Sequence, residues 1–356
     1  MSTPPHSKAL YIDHTGHTSI LPSISINHEP LAPNEVLIEA LYSGVNPADT
    51  KHFTLGIHST IMGYDFCGRV ISTPQNSQFV AGDIVAGYTP SGIGRPKKYG
   101  THQAKLACPE EDMFKVPENL PKTHAAALTV VAMTAADAVF NFFERPLPVE
   151  AVSYTSPVLV WGASSSVGIC TVQFLRTSGC KNVFVTASPK RWDLLKSLGA
   201  KECFDYNSPS VRADIAGAVE ALGQGPITHA LDAVGTFVPP RSSDQMAECV
   251  QAENAVVLAC VTRFDGGFQM PVATTREGWR IQPPGAPAPI SLPALPERHK
   301  RAWAGLMWAV ENYGGDFELP VVEELDVSAE EILPEVVKVG GQGRGFGKLI
   351  IRQPLR

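Results

Sequence analysis

The stretch Val158–Leu175, "VLVWGASSSVGICTVQFL", decides the fold. Val158 to Trp161 is an apolar run of strand type, and apolar residues recur at helical spacing from Val167 onward. Gly162 to Gly168 is therefore predicted as a tight strand-to-helix turn. Its four small residues and two glycines leave the backbone open. Amides at a helix start, with the positive end of the helix dipole, close around a phosphate when no side chain keeps it away. The turn departs from G-x-G-x-x-G, having serines in place of some glycines.

The sequel extends this reading. Val183 to Thr186 is a second apolar strand and Trp192 to Leu198 a helix closing on Gly199, which completes a βαβ unit. NAD-binding proteins place an acid at the end of that second strand, on the ribose 2′-hydroxyl. Here the chain reads "TASPKRW", with Ser188, Pro189, Lys190 and Arg191 and no acid before Asp193. A hydroxyl and two cations suit a 2′-phosphate. The expected ligand is NADP(H), its pyrophosphate at Ser164, Ser165, Ser166 and Val167 and its 2′-phosphate at Ser188 to Arg191. The competing reading leaves Lys190 and Arg191 as a solvated helix start.

Length and composition narrow the class. A chain of 356 residues predicts two domains with ample cores. Charged residues make up 18% and the net charge is −6, without blocks of one sign, so the basic footprint of a nucleic-acid binder is missing. The start, "MSTPPHSKALYIDHTGHTSI", has no apolar signal region, and no run is expected to reach the roughly 20 apolar residues of a membrane span. These features predict a soluble, cytoplasmic protein. Cys67, Cys108, Cys170, Cys180, Cys203, Cys249 and Cys260 form no C-x-x-C pair and read as buried thiols in a reducing compartment.

Along the chain, "EVLIEALYSGVNP", "YDFCGRVIS" and "GDIVAGY" are short strands without intervening helices, the pattern of an antiparallel barrel-like domain. Thr123 to Phe143 is alanine-rich and apolar around much of its circumference, which predicts buried helices. Strand/helix alternation starts at Pro157 and continues through His229–Gly235 and Ala255–Val261, predicting a doubly wound parallel sheet. Pro271 to Pro296 holds seven prolines and reads as a loop. Arg298 to Tyr313 has a helical pattern, and the late strand Lys348 to Arg352 most simply returns to the first domain. The expected α/β organisation is a β-rich catalytic domain (1–135), an inserted nucleotide-binding domain (136–285) and a return to the catalytic domain (286–356).

With these pieces in order, the chain resembles the zinc-independent branch of the medium-chain dehydrogenase/reductase superfamily, which includes quinone oxidoreductases and enoyl reductases. The resemblance rests on "GVNPADTK", "GYDFCGRV", "GDIVAG", "AALTVVAMTAADAV", "VLVWGASSSVG", "LKSLGAKECFDY" and the closing "GKLIIR". Within that branch, "NPADTK", "SPKR" and "FDY" look most like the trans-acting enoyl reductases that partner fungal polyketide synthases and their peptide-synthetase hybrids. The resemblance implies a GroES-like catalytic domain with an inserted Rossmann domain. It places Ala48, Asp49, Thr50 and Lys51 at the nicotinamide end of the cofactor, with Lys51 catalytic near the reacting carbonyl. Tyr206 would sit at the adenosine end, while the turn after "VVLAC", Arg344 and Gly345 would also touch the cofactor. The helix of Ala135, Ala136, Asp137, Ala138, Val139, Phe140, Asn141 and Phe142 would face the acyl chain, although the phenylalanines also read as core. The implied partner is a polyketide synthase or its acyl carrier domain, met transiently by a monomer.

No metal is expected. Catalytic zinc takes about three Cys, His or carboxylate ligands, and the zinc alcohol dehydrogenases carry a His-Glu pair where this chain reads Tyr64-Asp65. Alcohol oxidation is then disfavoured and reduction of an activated C=C bond remains. An enolate oxygen would need donors, for which Lys51, a backbone amide or the cofactor ribose would serve. No dedicated acid is evident for the protonation that follows. Three functions stay open: a trans-acting enoyl reductase, a general NADPH-dependent reductase of small enones or quinones, and a non-catalytic NADPH-binding partner protein.

Overall fold

A computed structural model describes residues 7–23, 31–148, 152–236, 239–261, 263 and 266–356. Its centre is a five-stranded parallel sheet in the order Glu202–Phe204, Val183–Thr186, Val158–Trp161, His229–Asp232, Val256–Ala259. Val158 pairs with both Val183 and His229, so the strand leading into "GASSSVG" is the middle one. Successive side chains of a strand face opposite ways. Val158 and Val160 join Ile169 and Val172 in one core, while Leu159 and Trp161 join Ile215 and Met246 in another, giving helices on both faces. Burial on both sides explains why these strands read as continuous apolar runs rather than alternating ones.

The β-rich part has two sheets. A larger one runs Val322–Leu325, Lys348–Arg352, Glu35–Gly44, Asp65–Ser72, Ile84–Tyr88, Met113–Lys115, with Lys105–Pro109 also on Glu35–Gly44. A smaller one runs Thr18–Pro22, Lys8–Ile12, Thr60–Ile61. Lys348–Arg352 lies antiparallel to Glu35–Gly44, with Ile350 opposite Gly44. The chain's end therefore returns to its first domain, and the doubly wound domain is inserted, as the sequence predicts.

The alanine-rich stretch is an α-helix, Lys122–Ala136, continued by a π-helical segment, Asp137–Phe142. Its small side chains let two helices approach, Ser166–Thr177 and Pro296–Glu311. A Cβ on Gly305 would lie 2.3 Å from a ring carbon of Phe140. Lys122–Phe142 is long and apolar enough to cross a membrane by length and composition, although most of it is buried in the protein. The expectation that no such run exists is corrected. Alanine scores as apolar, and here it serves close helix packing rather than a bilayer.

Two more expectations change. Pro271 to Pro296 is not merely a loop, because it contains the antiparallel hairpin Trp279–Ile281 and Ile290–Leu292. Ile281 packs with Leu55 and Ile57, while the Ile93 amide donates to the Arg280 carbonyl and the Gln282 amide to that of Leu55. Its prolines lie outside the paired residues, so no ladder donor is lost. The helix Ala329–Gln342 was not anticipated. Ser328 and Glu331 form its capping box. Pro334 and the Gly340–Gly341 pair masked its helical pattern.

Candidate active site

The turn Gly162–Gly168 runs from strand to helix, as its sequence predicts. Gly162 has φ +76°, and a Cβ there would fall 1.9 Å from Val234 Cγ2, in the turn after His229–Asp232. A Cβ on Gly168 would meet Ala163 Cα at 2.6 Å, so that glycine lets the helix start against the strand end. Ser165 caps Ser166–Thr177, its hydroxyl accepting from the Gly168 amide at 3.1 Å. The first internal helical bond runs from Ile169 N to Ser165 O, and the Ser166 and Val167 amides precede it. The Ser166 hydroxyl donates to the Gly347 carbonyl at 3.2 Å, joining this turn to the glycine-rich loop before the last strand.

Beside it, the end of the second strand presents hydroxyls and cations. Thr186 Oγ1 accepts the Gly162 amide at 2.9 Å, which locks the two strand ends together. The Ser188 and Tyr206 hydroxyls lie 3.2 Å apart, and Tyr206 is 40% exposed. The Arg191 guanidinium lies 3.6 Å from the centre of the Phe346 ring, and its Nε is buried without a hydrogen-bond partner in the protein. Arg344 forms an ion pair with Glu323 and also has a buried, unpartnered Nε, while Gly345 has φ +76°. Pro189 and Lys190 are exposed. Ser188, Arg191, Tyr206 and the loop at 344–347 thus meet in one place. The turn after "VVLAC" falls partly on residues outside the described ones. Open first-turn amides, the close approach allowed by two glycines and the absence of an acid at Ser188 fit a dinucleotide with a phosphorylated ribose.

On the catalytic-domain side, Ala48–Lys51 is a single helical turn. Asp49 is buried, its Oδ2 accepting the Asn46 amide at 2.8 Å and lying 3.2 Å from His102 Nε2; it braces the turn from within. Thr50 packs against Gly340, where a Cβ would come within 1.7 Å of its hydroxyl oxygen. Lys51 is half-buried. Burial lowers its pKa, and the carboxylate of Asp232, at the end of the strand next to Val158–Trp161, opposes that shift. Asp232 is buried, accepting the Val234 and Gly235 amides and the Ser242 hydroxyl, and burial raises its pKa. Its signal was available in "HALDAVG" as the one acid ending an apolar strand.

The helix expected to face the acyl chain is largely buried. Ala135, Ala136, Asp137, Ala138, Val139 and Phe140 are at most 1% exposed and sit in the packed interior, while Asn141 and Phe142 are half-buried. Asp137 accepts Arg298 through Nε at 2.6 Å and Nη2 at 2.5 Å, together with the Asn141 side chain and the Val272 amide. Its oxygens are filled by the protein. As packed here, this helix is a core element, and only its last two residues have surface to offer a ligand.

Where the zinc enzymes would carry a His-Glu pair, Asp65 accepts the Asn46 side-chain amide at 2.8 Å, Lys348 Nζ at 3.2 Å and the Val130 amide at 2.8 Å. Tyr64 lies 2.8 Å from His52 through its hydroxyl, under the Arg95 guanidinium, 4.4 Å from the ring centre. Among the described residues no group of three or more His, Cys, Asp or Glu is placed to hold a metal ion.

Residues 32–118 match the alcohol dehydrogenase GroES-like domain, and residues 166–276 the zinc-binding dehydrogenase family. The chain belongs to the medium-chain dehydrogenase/reductase superfamily. It is similar to a trans-enoyl reductase from Aspergillus japonicus, with 30% identity over 68% of this chain and 67% of that one. A trans-enoyl reductase from Macrophomina phaseolina shares 30% over 65% of this chain and 64% of its own. The matched part spans between about half and two thirds of the length of such relatives. In fold it resembles mycobacterial Rv1454c, solved in complex with NADPH, at a TM-score of 0.65 and 18% identity over 97% of this chain and 99% of that one.

Proposed function

We propose that this protein is an NADPH-dependent enoyl reductase that reduces the α,β double bond of an unsaturated thioester presented by the acyl carrier domain of a polyketide synthase. One observation carries the reading. Asp232, whose charge reaches Lys51, and the cluster of Ser188, Arg191 and Tyr206 lie at the same C-terminal edge of the parallel sheet, where this architecture binds dinucleotides. The trans-enoyl reductase relatives support the substrate class.

NADPH, when bound, supplies the hydride for Cβ. The first-turn amides at Ser166 and Val167 would hold the pyrophosphate, and Ser188, Lys190 and Arg191 the 2′-phosphate. Lys51 would stabilise the thioester oxygen as negative charge develops there. Its position at the domain junction keeps that ammonium partly out of water, where a donor acts more strongly. The nearby carboxylate of Asp232 favours the charged form of the lysine against its burial.

The test is NADPH oxidation with a small enone, a pantetheine-linked enoyl chain and the same chain on a carrier protein. Turnover confined to the tethered substrate supports the proposal. Faster turnover of the small enone or a quinone would favour a general reductase, and no turnover a non-catalytic partner protein.

A further inference from the structure

The protonation that must follow hydride transfer needs an acid, and the sequence alone names none. The structure assembles a candidate one residue beyond Lys51. His52 opens the 3₁₀ turn His52–Leu55 and is half-buried. Its Nδ1 lies 2.8 Å from the Tyr64 hydroxyl and 3.4 Å from the Ser91 hydroxyl. Tyr64 itself is only 6% exposed. With the phenol donating to Nδ1, the ring hydrogen sits on Nε2, at the far edge of the imidazole from Tyr64.

The cluster is built rather than incidental. Arg95 is buried beneath Tyr64 and spends its donors on the carbonyls of Ile61, Gly63, Pro90 and Tyr99 and on the Thr89 hydroxyl. Burial raises the Tyr64 pKa, and this fixed charge on the ring face opposes that shift, favouring a transient phenolate. Gly92 and Ile93, just after Ser91, are covered by the proline-rich hairpin that extends from the nucleotide-binding side, Gly92 lying against Trp279 and Ile93 bonded to Arg280. The imidazole thus sits beneath the hairpin's contact with the catalytic domain, on the residue next to Lys51. Burial holds its pKa at about 4, with Asp49 opposing that shift and Arg95 adding to it, so the ring is neutral under ordinary conditions.

We infer that His52 is the catalytic acid of the reduction and Tyr64 the positioning residue that fixes its tautomer and refills it. The inference rests on the enoyl-reductase reading above. Once hydride has reached Cβ, the new electron pair lies in the enolate of the thioester. The Nε2–H bond of His52 breaks as the Cα–H bond forms. Nδ1 takes the Tyr64 hydroxyl proton, leaving a phenolate under Arg95, and water restores that proton by way of Ser91. No other oxidant or reductant is needed.

The experiment uses an α-methyl enoyl thioester, whose product carries a stereocentre at Cα, with His52→Gln and Tyr64→Phe alongside the unaltered protein. NADPH affinity by fluorescence titration should stay within about twofold in both variants, which separates the effect from misfolding. His52→Gln is expected to lower kcat at least tenfold with little change in KM, and protonation by bulk water should erode the product's single configuration. Tyr64→Phe should have a smaller effect in the same direction. Full rate and unchanged configuration in His52→Gln would overturn the assignment of His52 alone. No NADPH turnover by the unaltered protein would overturn the enoyl-reductase reading, and this inference with it.

Discussion

If the cluster at Ser188 holds a 2′-phosphate, cofactor choice rests chiefly on Arg191, and its share can be worked from the structure. Its guanidinium is already placed over the Phe346 ring at 3.6 Å, and its Nε is buried without a partner, so little ordering remains to be done on binding. A charge-assisted hydrogen bond from such a group contributes about 1.5–3 kcal/mol. Arg191→Ala should therefore weaken NADPH by about tenfold to a hundredfold, at 1.4 kcal/mol per tenfold. Lys190 is exposed, and solvated pairs contribute about 0–1 kcal/mol, so Lys190→Ala should cost no more than about fivefold. NADH lacks the phosphate and should bind both variants as it binds the unaltered protein. Ser188→Asp should go further than either, because it sets a repulsive charge against the phosphate. Fluorescence titration with each nucleotide measures all of this. Equal loss of NADH and NADPH in Arg191→Ala, or equal affinity of the unaltered protein for both, would refute the reasoning and leave these cations as a solvated helix start.

Three further outcomes are expected. Asp137→Ala leaves Arg298 without its buried partner and should lower the unfolding free energy by about 3–5 kcal/mol, while replacing both by apolar residues of similar volume should recover most of that; denaturant unfolding checks it. Ala138→Phe should overpack the core by about 1–3 kcal/mol and slow short and long enoyl chains alike, whereas selective loss of long chains would identify this helix as an acyl wall. Burial lowers the pKa of His52, His229 and His299 from 6.5 to about 4, so the unfolded chain binds more protons between those values. Stability should be fully present above about pH 6.5 and fall toward pH 4, with His299 alone worth at most about 3 kcal/mol; unfolding midpoints across that range, flattened in His299→Leu, measure it.

Elements whose burial imposes a simple period were legible in the sequence. Val158–Trp161 and Val183–Thr186 have their expected bounds because parallel strands buried on both faces are short apolar runs ended by turn residues. The Rossmann turn was legible through its small residues, since backbone access to a phosphate is a local property. The hairpin Trp279–Ile281 with Ile290–Leu292 was not, because its strands are three residues long and are held by Leu55 and Ile93, more than 180 residues away. The packing of the helix expected to face the acyl chain was not legible for a related reason. Alanines at 135, 136 and 138 read equally as the wall of a tunnel or as contact points between helices, and the close approach of Gly305 to Phe140 and Ala136 became visible only in the fold.

The pairing of His52 with Tyr64, and the placing of the turn Ala48–Lys51, belong to the same non-local class, and their causes lie at the far end of the chain. Lys348 opens the returning strand and places its ammonium against Asn46 and Asp65, immediately before the turn Ala48–Lys51 and immediately after Tyr64. Gly340 in Ala329–Gln342 leaves just the room that Thr50 fills. Both residues lie beyond the inserted domain, so the turn Ala48–Lys51 is not set until the chain has come back. A buried ion pair of this kind adds little net stability, because desolvating the two charges offsets their attraction. What the pair does supply is a fixed register between strand and turn, through a carboxylate whose remaining oxygen also holds the Val130 amide of the central helix. A carboxylate that keeps three elements in place leaves Tyr64, its neighbour in sequence, free to face His52 rather than to serve the framework.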